Sequence, residues 1–211
     1  RAPFITSTLQ QAASTKLSFT VKRTMRVSQK LYEAGYITYM RTDAPSLSKE
    51  SIQDARNYIN EKIGEQYLTN APRIYSSTEN AQEAHEAIRP TNAFMAPDDL
   101  IGASEEERRL YTLIWQQYIA CQMPDAEYLS TSAKVLVGEY TFSAKGREVV
   151  FDGHTKVSQN NSIDPDDDIL PPLSEDEILS LDSLNVEQKF TKPPARFSEA
   201  ALVKELEKKG I

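Results

Sequence analysis

The sequence predicts an α+β fold, and three observations support this prediction. Apolar residues recur at helical spacing, between capping residues, over most of residues 1–124. After Pro124 the pattern changes to alternation around Gly138-Glu139, which is typical of an antiparallel hairpin. A chain of 211 residues is also long enough for one large or two smaller domains.

Capping residues mark the first predicted helices. One runs from Thr6 or Ser7 to about Ser14, and a second spans Thr20–Ala34 and ends before Gly35. The second helix has an apolar side, so we expect that side to be buried. Its basic residues lie largely elsewhere and form a predicted basic surface: Lys22, Arg23, Arg26 and Lys30.

Tyr36–Met40 is short, β-branched and aromatic, which predicts an extended segment after the second helix. Ser48 then caps a helix that Gly64 ends. Ser104 and Glu107 form a capping box at the start of a strongly apolar helix.

Antiparallel strands are predicted within Tyr128–Val157, and a returning strand within Glu177–Val186. Between them, Asn160–Asp168 is an acidic loop that lacks the spacing and the glycine of an EF-hand. Ser198 caps a last predicted helix through Lys209.

The composition excludes several classes of protein. No apolar run approaches the roughly 20 residues needed to span a bilayer, and the first residues do not form a signal peptide. The single cysteine, Cys121, rules out an internal disulfide, and we expect it to be a packing residue in a cytoplasmic protein. The chain does not start with Met, so we expect a piece of a longer protein.

Charge is unevenly distributed along the chain. Residues 1–45 contain seven basic and two acidic residues, a net charge of +5, within a total of −7. The remaining residues therefore carry −12. This asymmetry favours a polyanionic partner for the first part, although a chance gradient would look the same.

A concentration of polar and aromatic residues in Leu31–Asp43 indicates possible chemistry. In an extended segment, Tyr39 and Arg41 would point to the same side. A tyrosine hydroxyl needs a nearby cation or base to act as a nucleophile, and the arginine fork also fits a phosphate. From composition alone, an ordinary aromatic strand beside a surface arginine remains the more frequent explanation.

The contiguous string Gly35-Tyr-Ile-Thr-Tyr-Met-Arg-Thr-Asp43 resembles the active-site signature of the type IA DNA topoisomerases. The resemblance implies that Tyr39 is the nucleophile and that Arg41 assists cleavage. It also places two threonines, Thr38 and Thr42, near the DNA. Ala44 departs from the serine that is common at that position in bacterial relatives.

A second string, Ala81–Thr91, resembles the histidine-containing motif of that family. By resemblance His85 lies near the scissile phosphate and takes part in catalysis, whereas by itself it is typical of a hydrogen-bonded structural residue. Arg89 is either a phosphate contact or half of an ion pair.

Two further strings extend the resemblance. Phe4–Ala13 resembles the start of the tyrosine-bearing domain, with Thr6 and Ser7 at a helix start that favours a phosphate. Phe190–Glu199 resembles the entry to the domain that grips single-stranded DNA. Two basic residues there, Lys192 and Arg196, are DNA-backbone contacts or solvated linker charges.

The resemblance implies a defined reaction. Type IA enzymes cut one DNA strand, form a covalent 5′-phosphotyrosine, pass another strand and reseal the gap without ATP, which relaxes negative supercoils. The expected partners are single-stranded and negatively supercoiled DNA. The expected cofactor is Mg²⁺, held by an acidic N-terminal domain outside this chain, so we expect the chain alone to be inactive.

The implied domains are a helical tyrosine-bearing domain at residues 1–124, a partial β hinge domain at 125–188 and the start of a strand-binding helical domain at 189–211. Unpaired strand edges in such a partial domain would favour self-association. Two alternatives remain at this stage: a non-catalytic helix-turn-helix-like DNA-binding module, and an acidic protein-interaction domain.

Overall fold

The computed structural model describes residues 1–75, 85–158 and 170–210. These residues belong to two compact units. The first contains Arg1–Asp125, Gly153–Gln159 and Phe197–Ile211, and the second contains Ala126–Asp152 and Asn160–Arg196. Helices together with a two-stranded antiparallel sheet confirm the α+β prediction.

The first unit is helical. Its helices are α1 (Thr6–Leu17), α2 (Val21–Glu33), α3 (Lys49–Tyr58), α4 (Glu105–Ala120) and α5 (Glu199–Lys208). A π-helical turn at Ile59–Ile63 extends α3 to Gly64, and short 3₁₀ turns occur at Glu65–Tyr67, Pro97–Asp99 and Gly153–Val157. None of the helices in the described ranges is long and apolar enough to cross a membrane.

The predicted N-caps at Thr20, Ser48 and Ser104 are confirmed, whereas the predicted cap at Thr6 or Ser7 is wrong, because α1 already begins at Thr6 and Ile5 is its N-cap residue. The hydroxyl of Thr20 accepts from the backbone N–H of Arg23, and that of Ser48 accepts from Ser51, so each satisfies a helix-start donor. At α4 the capping box is complete, because the carboxylate of Glu107 also accepts from the backbone N–H of Ser104 at 2.7 Å.

The predicted end of α1 near Ser14 is wrong, because the helix continues to Leu17. It ends at Ser18, which adopts the left-handed conformation with φ 57°, and the Phe19 N–H donates to the carbonyl of Ala13. Glycine normally occupies such a position. A serine there gives no readable stop signal, which explains the error.

Helix α4 forms the centre of the first core and packs against α1, α2 and α3. Three of its aromatic residues are buried and donate to backbone carbonyls: Tyr111 to Met95 (2.7 Å), Trp115 to Ala93 (2.9 Å) and Tyr118 to Ser51 (2.6 Å). Hydroxyl and indole donors are therefore satisfied inside an apolar core. Cys121 is also buried, as expected for a packing residue, and burial raises the pKa of its thiol to about 12.

The second unit contains the hairpin of β1 (Glu127–Val137) and β2 (Tyr140–Phe151). Val137 pairs with Tyr140 across a turn at Gly138, whose φ of +59° suits glycine. The predicted hairpin is therefore confirmed. The predicted strand within Glu177–Val186 is wrong: this segment has no regular structure and its side chains are exposed, so its apolar alternation finds no pairing edge.

Candidate active site

Residues 36–44 follow the end of α2 and form the segment that carries the candidate nucleophile. Gly35, with φ +76°, turns the chain out of the helix, and the Tyr36 N–H still donates to the carbonyl of Leu31. Glycine is suited to this turn because a side chain would strain a positive φ. The predicted end of α2 at Gly35 is confirmed.

This segment pairs with residues 88–91. Ile37 forms an isolated antiparallel bridge with Pro90, the Thr38 N–H donates to Arg89 O at 2.9 Å, and the Thr91 N–H donates to Tyr36 O at 3.0 Å. The pairing does not extend further because the Tyr36 N–H donates to Leu31 O and the Arg89 N–H donates to the Thr38 hydroxyl. The tyrosine string and the histidine string are thus adjacent in space.

Exposure alternates along the segment. Met40 and Thr42 are buried, whereas Tyr39, Arg41 and Asp43 are exposed. The buried Met40 side chain anchors the segment between two exposed neighbours, Tyr39 and Arg41, and the backbone bends at Thr38 and Met40. That the two exposed side chains point to the same side stays a prediction.

The Tyr39 side chain is 49% exposed and its ring lies edge-to-face against Tyr32, with centroids 5.2 Å apart. Within the described residues, the structure shows no hydrogen bond to its hydroxyl and no ion pair to Arg41. Both groups are therefore available to a substrate approaching this surface. The sequence analysis assigned no role to Tyr32, although Tyr32 lies in the same string.

His85 lies beside this surface. Its Nδ1 is 3.2 Å from Asp43 Oδ1, and both side chains are partly exposed. The hydrogen bond from His85 is the main cause that holds the pKa of Asp43 below its ordinary value. A carboxylate at this position orients the imidazole. Ser46 links the two strings once more, because its hydroxyl donates to His85 O at 2.9 Å.

Arg89 and Glu86 form a bidentate ion pair, with Nε to Oε1 at 2.8 Å and Nη2 to Oε2 at 2.9 Å. The remaining Arg89 nitrogen, Nη1, donates to Pro90 O, and the side chain is mostly buried. Of the two roles considered for Arg89, the ion pair is present, and the phosphate contact stays a prediction.

Glu86 also links residues 85–91 to the start of α3. Its Oε1 accepts from the Ser48 N–H at 3.1 Å and from the Ser51 hydroxyl at 3.2 Å. Burial by itself raises the pKa of Glu86, but the hydrogen bonds from Arg89, Ser48 and Ser51 outweigh it and leave the pKa lowered. Glu86 was not among the predicted site residues, because two of its three partners, Ser48 and Ser51, are distant in the chain.

The threonines that were expected near DNA have backbone partners. The hydroxyl of Thr38 donates to Ala87 O, that of Thr6 donates to Met40 O, and that of Thr42 accepts from the Ala44 N–H. Ser7 lies half-buried in the first turn of α1. For these four residues (Thr6, Ser7, Thr38 and Thr42), as for Arg89, contact with DNA remains a prediction.

The other predicted contacts lie elsewhere. Lys192 and Arg196 belong to the second unit, where they are exposed and outside regular structure. Residues 81–84 of the histidine string and the acidic loop Asn160–Asp168 lie outside the described residues. Among the residues that the structure describes, no group of three or more His, Cys, Asp or Glu side chains is arranged to hold a metal ion.

The basic surface of α2 is largely paired within the first unit. Arg23 and Arg26 contact the Glu106 carboxylate, and Lys30 lies 3.8 Å from the Glu107 carboxylate. These carboxylates occupy the first turn of α4 and offset the positive charge of α2. Three of the four basic residues of this surface are thus paired within the first unit, and the fourth, Lys22, is exposed.

Comparisons with known proteins agree on one family. A family model described as DNA topoisomerase matches residues 1–211. The chain is 56% identical over 210 residues to a DNA topoisomerase 1 of Pseudomonas aeruginosa, 57% over 211 residues to that of Haemophilus influenzae, and 52% over 210 residues to that of Escherichia coli. Each match covers 100% of this chain and 24% of the relative, so the chain spans about a quarter of their length.

A solved structure of full-length topoisomerase I from Thermotoga maritima is also similar. It aligns with a TM-score of 0.77 at 34% identity, over 100% of this chain and 35% of that one.

Proposed function

The chain belongs to the bacterial type IA DNA topoisomerases, and we propose that it carries their strand-cleaving site with Tyr39 as the nucleophile. The observation that supports this assignment best is the exposed Tyr39 hydroxyl beside the exposed Arg41, on a segment anchored by buried Met40. His85 lies next to that segment through Asp43.

In the proposed reaction the Tyr39 oxygen attacks a DNA phosphorus. The bond from phosphorus to the 3′-oxygen breaks, the 3′-hydroxyl leaves with a proton, and a 5′-phosphotyrosine remains. The reverse attack by the 3′-hydroxyl reseals the strand after another strand has passed. Because one phosphodiester is exchanged for another, ATP is not required.

Arg41 has the proposed role of holding the phosphate and its developing charge, because a guanidinium binds two phosphoryl oxygens at once. His85 has the proposed role of contacting a phosphate oxygen or moving a proton, with Asp43 orienting its ring. A partly exposed imidazole beside a carboxylate suits both tasks.

The proposed function of the whole protein is the relaxation of negatively supercoiled DNA in the cytoplasm through single-stranded regions. We assign the strand-cleaving role to residues 1–124, a hinge role to 125–188 and the start of the strand-gripping domain to 189–211. Mg²⁺ supplies phosphate charge neutralisation in this proposal. We place its site in the acidic N-terminal domain that the family resemblance implies.

The test is the capture of a covalent protein–DNA adduct by the full-length protein. Tyr39→Phe removes only the nucleophilic oxygen, so we expect no adduct after denaturation and nearly unchanged non-covalent binding of single-stranded DNA. Tyr36→Phe is the matched control, because it removes a hydroxyl three residues away in the same string, and it should retain the adduct. An adduct formed by Tyr39→Phe would contradict the assignment.

A further inference from the structure

Two threonine hydroxyls hold the backbone on either side of Tyr39 and Arg41. On one side is Thr6, the first residue of α1. Its hydroxyl lies 2.9 Å from Met40 O and 3.0 Å from Thr42 O, and it accepts from the Thr42 N–H at 2.9 Å. The Thr6 N–H also donates to Thr42 O at 3.0 Å. The start of α1 is thus bonded to both residues that flank Arg41.

On the other side is Thr38, which directly precedes Tyr39. Its hydroxyl donates to Ala87 O at 2.7 Å and accepts from the Arg89 N–H at 3.0 Å. These two hydrogen bonds join the start of the segment that carries Tyr39 to Ala87 and Arg89, which follow His85 in the chain.

A threonine hydroxyl has one hydrogen to donate and two lone pairs to accept with. In Thr6 and in Thr38 the hydrogen is already directed at a backbone carbonyl, and one lone pair already accepts from a backbone N–H. To donate to a phosphate oxygen, either hydroxyl would first have to break its hydrogen bond to the backbone carbonyl.

We infer that Thr6 and Thr38 are positioning residues, which fix the backbone of Tyr39–Arg41 so that hydroxyl and guanidinium meet one phosphate. This inference rests on the proposed function and deepens it, because it changes the role of two residues first expected to contact DNA. Their side chains act on the cleavage step through the backbone and not through the substrate.

The inference has a measurable consequence. A displacement of about 1 Å at reacting atoms can slow a reaction by about 100-fold, while binding that depends on other contacts is unaffected. Loss of a positioning hydroxyl should therefore reduce the cleavage rate constant at saturating DNA. Loss of a DNA contact should instead weaken binding.

The experiment uses the full-length protein and a labelled single-stranded oligonucleotide. Thr6→Val keeps the shape of the side chain and removes its hydroxyl, whereas Thr6→Ser keeps the hydroxyl. The single-turnover cleavage rate constant is measured at saturating oligonucleotide, and Kd is measured with each variant combined with Tyr39→Phe, which prevents cleavage. Thermal unfolding is followed for every variant.

We expect Thr6→Val to cleave about 10- to 100-fold more slowly with Kd changed by less than about twofold. Thr6→Ser should restore most of the rate. Thr38→Val is the second variant and should show the same pattern through a different pair of bonds. Thr112→Val is the matched control, because its hydroxyl donates to Arg108 O within α4, and it should cleave at the parent rate.

Two results would overturn the inference while leaving the proposed function intact. One is a Kd that rises in proportion to the loss of cleavage, which would make the hydroxyl a DNA contact. The other is parent-like cleavage by both valine variants. Failure of the parent protein to form an adduct at Tyr39 would instead overturn the proposed function itself.

Discussion

The Glu86 carboxylate connects the histidine string to the rest of the first unit, and its removal should measurably destabilise that unit. It accepts two hydrogen bonds from Arg89, one from the Ser48 N–H and one from the Ser51 hydroxyl. Glu86→Ala removes all four and leaves a mostly buried guanidinium without its ionic partner.

The size of the expected destabilisation follows from these hydrogen bonds and from the burial of the ion pair. A hydrogen bond to a charged group contributes about 1.5–3 kcal/mol, and breaking a buried ion pair costs about 3–5 kcal/mol. Glu86 is only partly buried, so solvent screens much of this interaction. We therefore expect Glu86→Ala to lower the free energy of unfolding by about 2 kcal/mol.

The pH dependence provides a second check. The pKa of Glu86 in the folded chain lies below its ordinary value of 4.5. Its contribution is thus present in full above pH 4.5 and is lost as the pH falls through the folded pKa. The difference in stability between the parent and Glu86→Ala should be largest at neutral pH and should shrink below pH 4.5.

Urea unfolding of the 211-residue chain, followed by the fluorescence of Trp115, measures this difference. Trp115 is the single tryptophan and lies buried in α4, so it reports on the first unit. With a slope of about 2 kcal/mol per molar urea, the midpoint should fall by about 1 M. Glu61→Ala is the control, because Glu61 is exposed and such changes stay within about 0.5 kcal/mol. A midpoint shift no larger than that of the control, or a gap that persists at low pH, would refute the reasoning.

Three further predictions concern catalysis. Arg41→Lys keeps the charge but loses the bidentate fork, so adduct formation should fall more than DNA binding does, and equal cleavage rates would remove Arg41 from the mechanism. His85→Ala should slow relaxation by the full-length protein and alter its pH–rate profile, because the side chain proposed to move a proton is lost; an unchanged profile would leave His85 a structural role. The isolated 211-residue chain should fail to relax supercoiled DNA in the presence of Mg²⁺, because it spans only about a quarter of the length of its topoisomerase relatives; efficient relaxation that Tyr39→Phe abolishes would disprove this division of labour.

Local signals made much of the fold predictable. Five predicted features depend on residues at most four apart, and all five are present. They are the caps at Thr20, Ser48 and Ser104, the stop at Gly35 and the hairpin turn at Gly138.

Errors arose where the conformation depends on something that the local pattern does not contain. Ser18 ends α1 in a conformation that glycine usually adopts. Glu177–Val186 has the composition of a strand, but a strand forms only against a partner edge.

The residues of the candidate site also fall into two groups, those that the sequence identifies and those whose role only the structure reveals. Tyr39, Arg41 and His85 were identifiable because a contiguous string carries them. The contacts of Glu86, Thr6 and Thr38 join residues that are separated by 34 to 51 positions in the sequence. The pair of Glu86 with Arg89 is the local exception. Sequence periodicity contains no information on such pairings, so only the folded arrangement reveals them.

The distribution of charged residues along the sequence can be interpreted only when the structure shows which of them form ion pairs. The net +5 of residues 1–45 suggested a basic surface on α2. Arg23, Arg26 and Lys30 instead face the carboxylates of Glu106 and Glu107, so three of the seven basic residues contribute to the contact between α2 and α4. Arg41 lies outside this network and beside Tyr39. The electrostatic attraction that matters for the proposed reaction is therefore local to the cleavage segment, and the −12 carried by the remainder of the chain does not argue against DNA as the substrate.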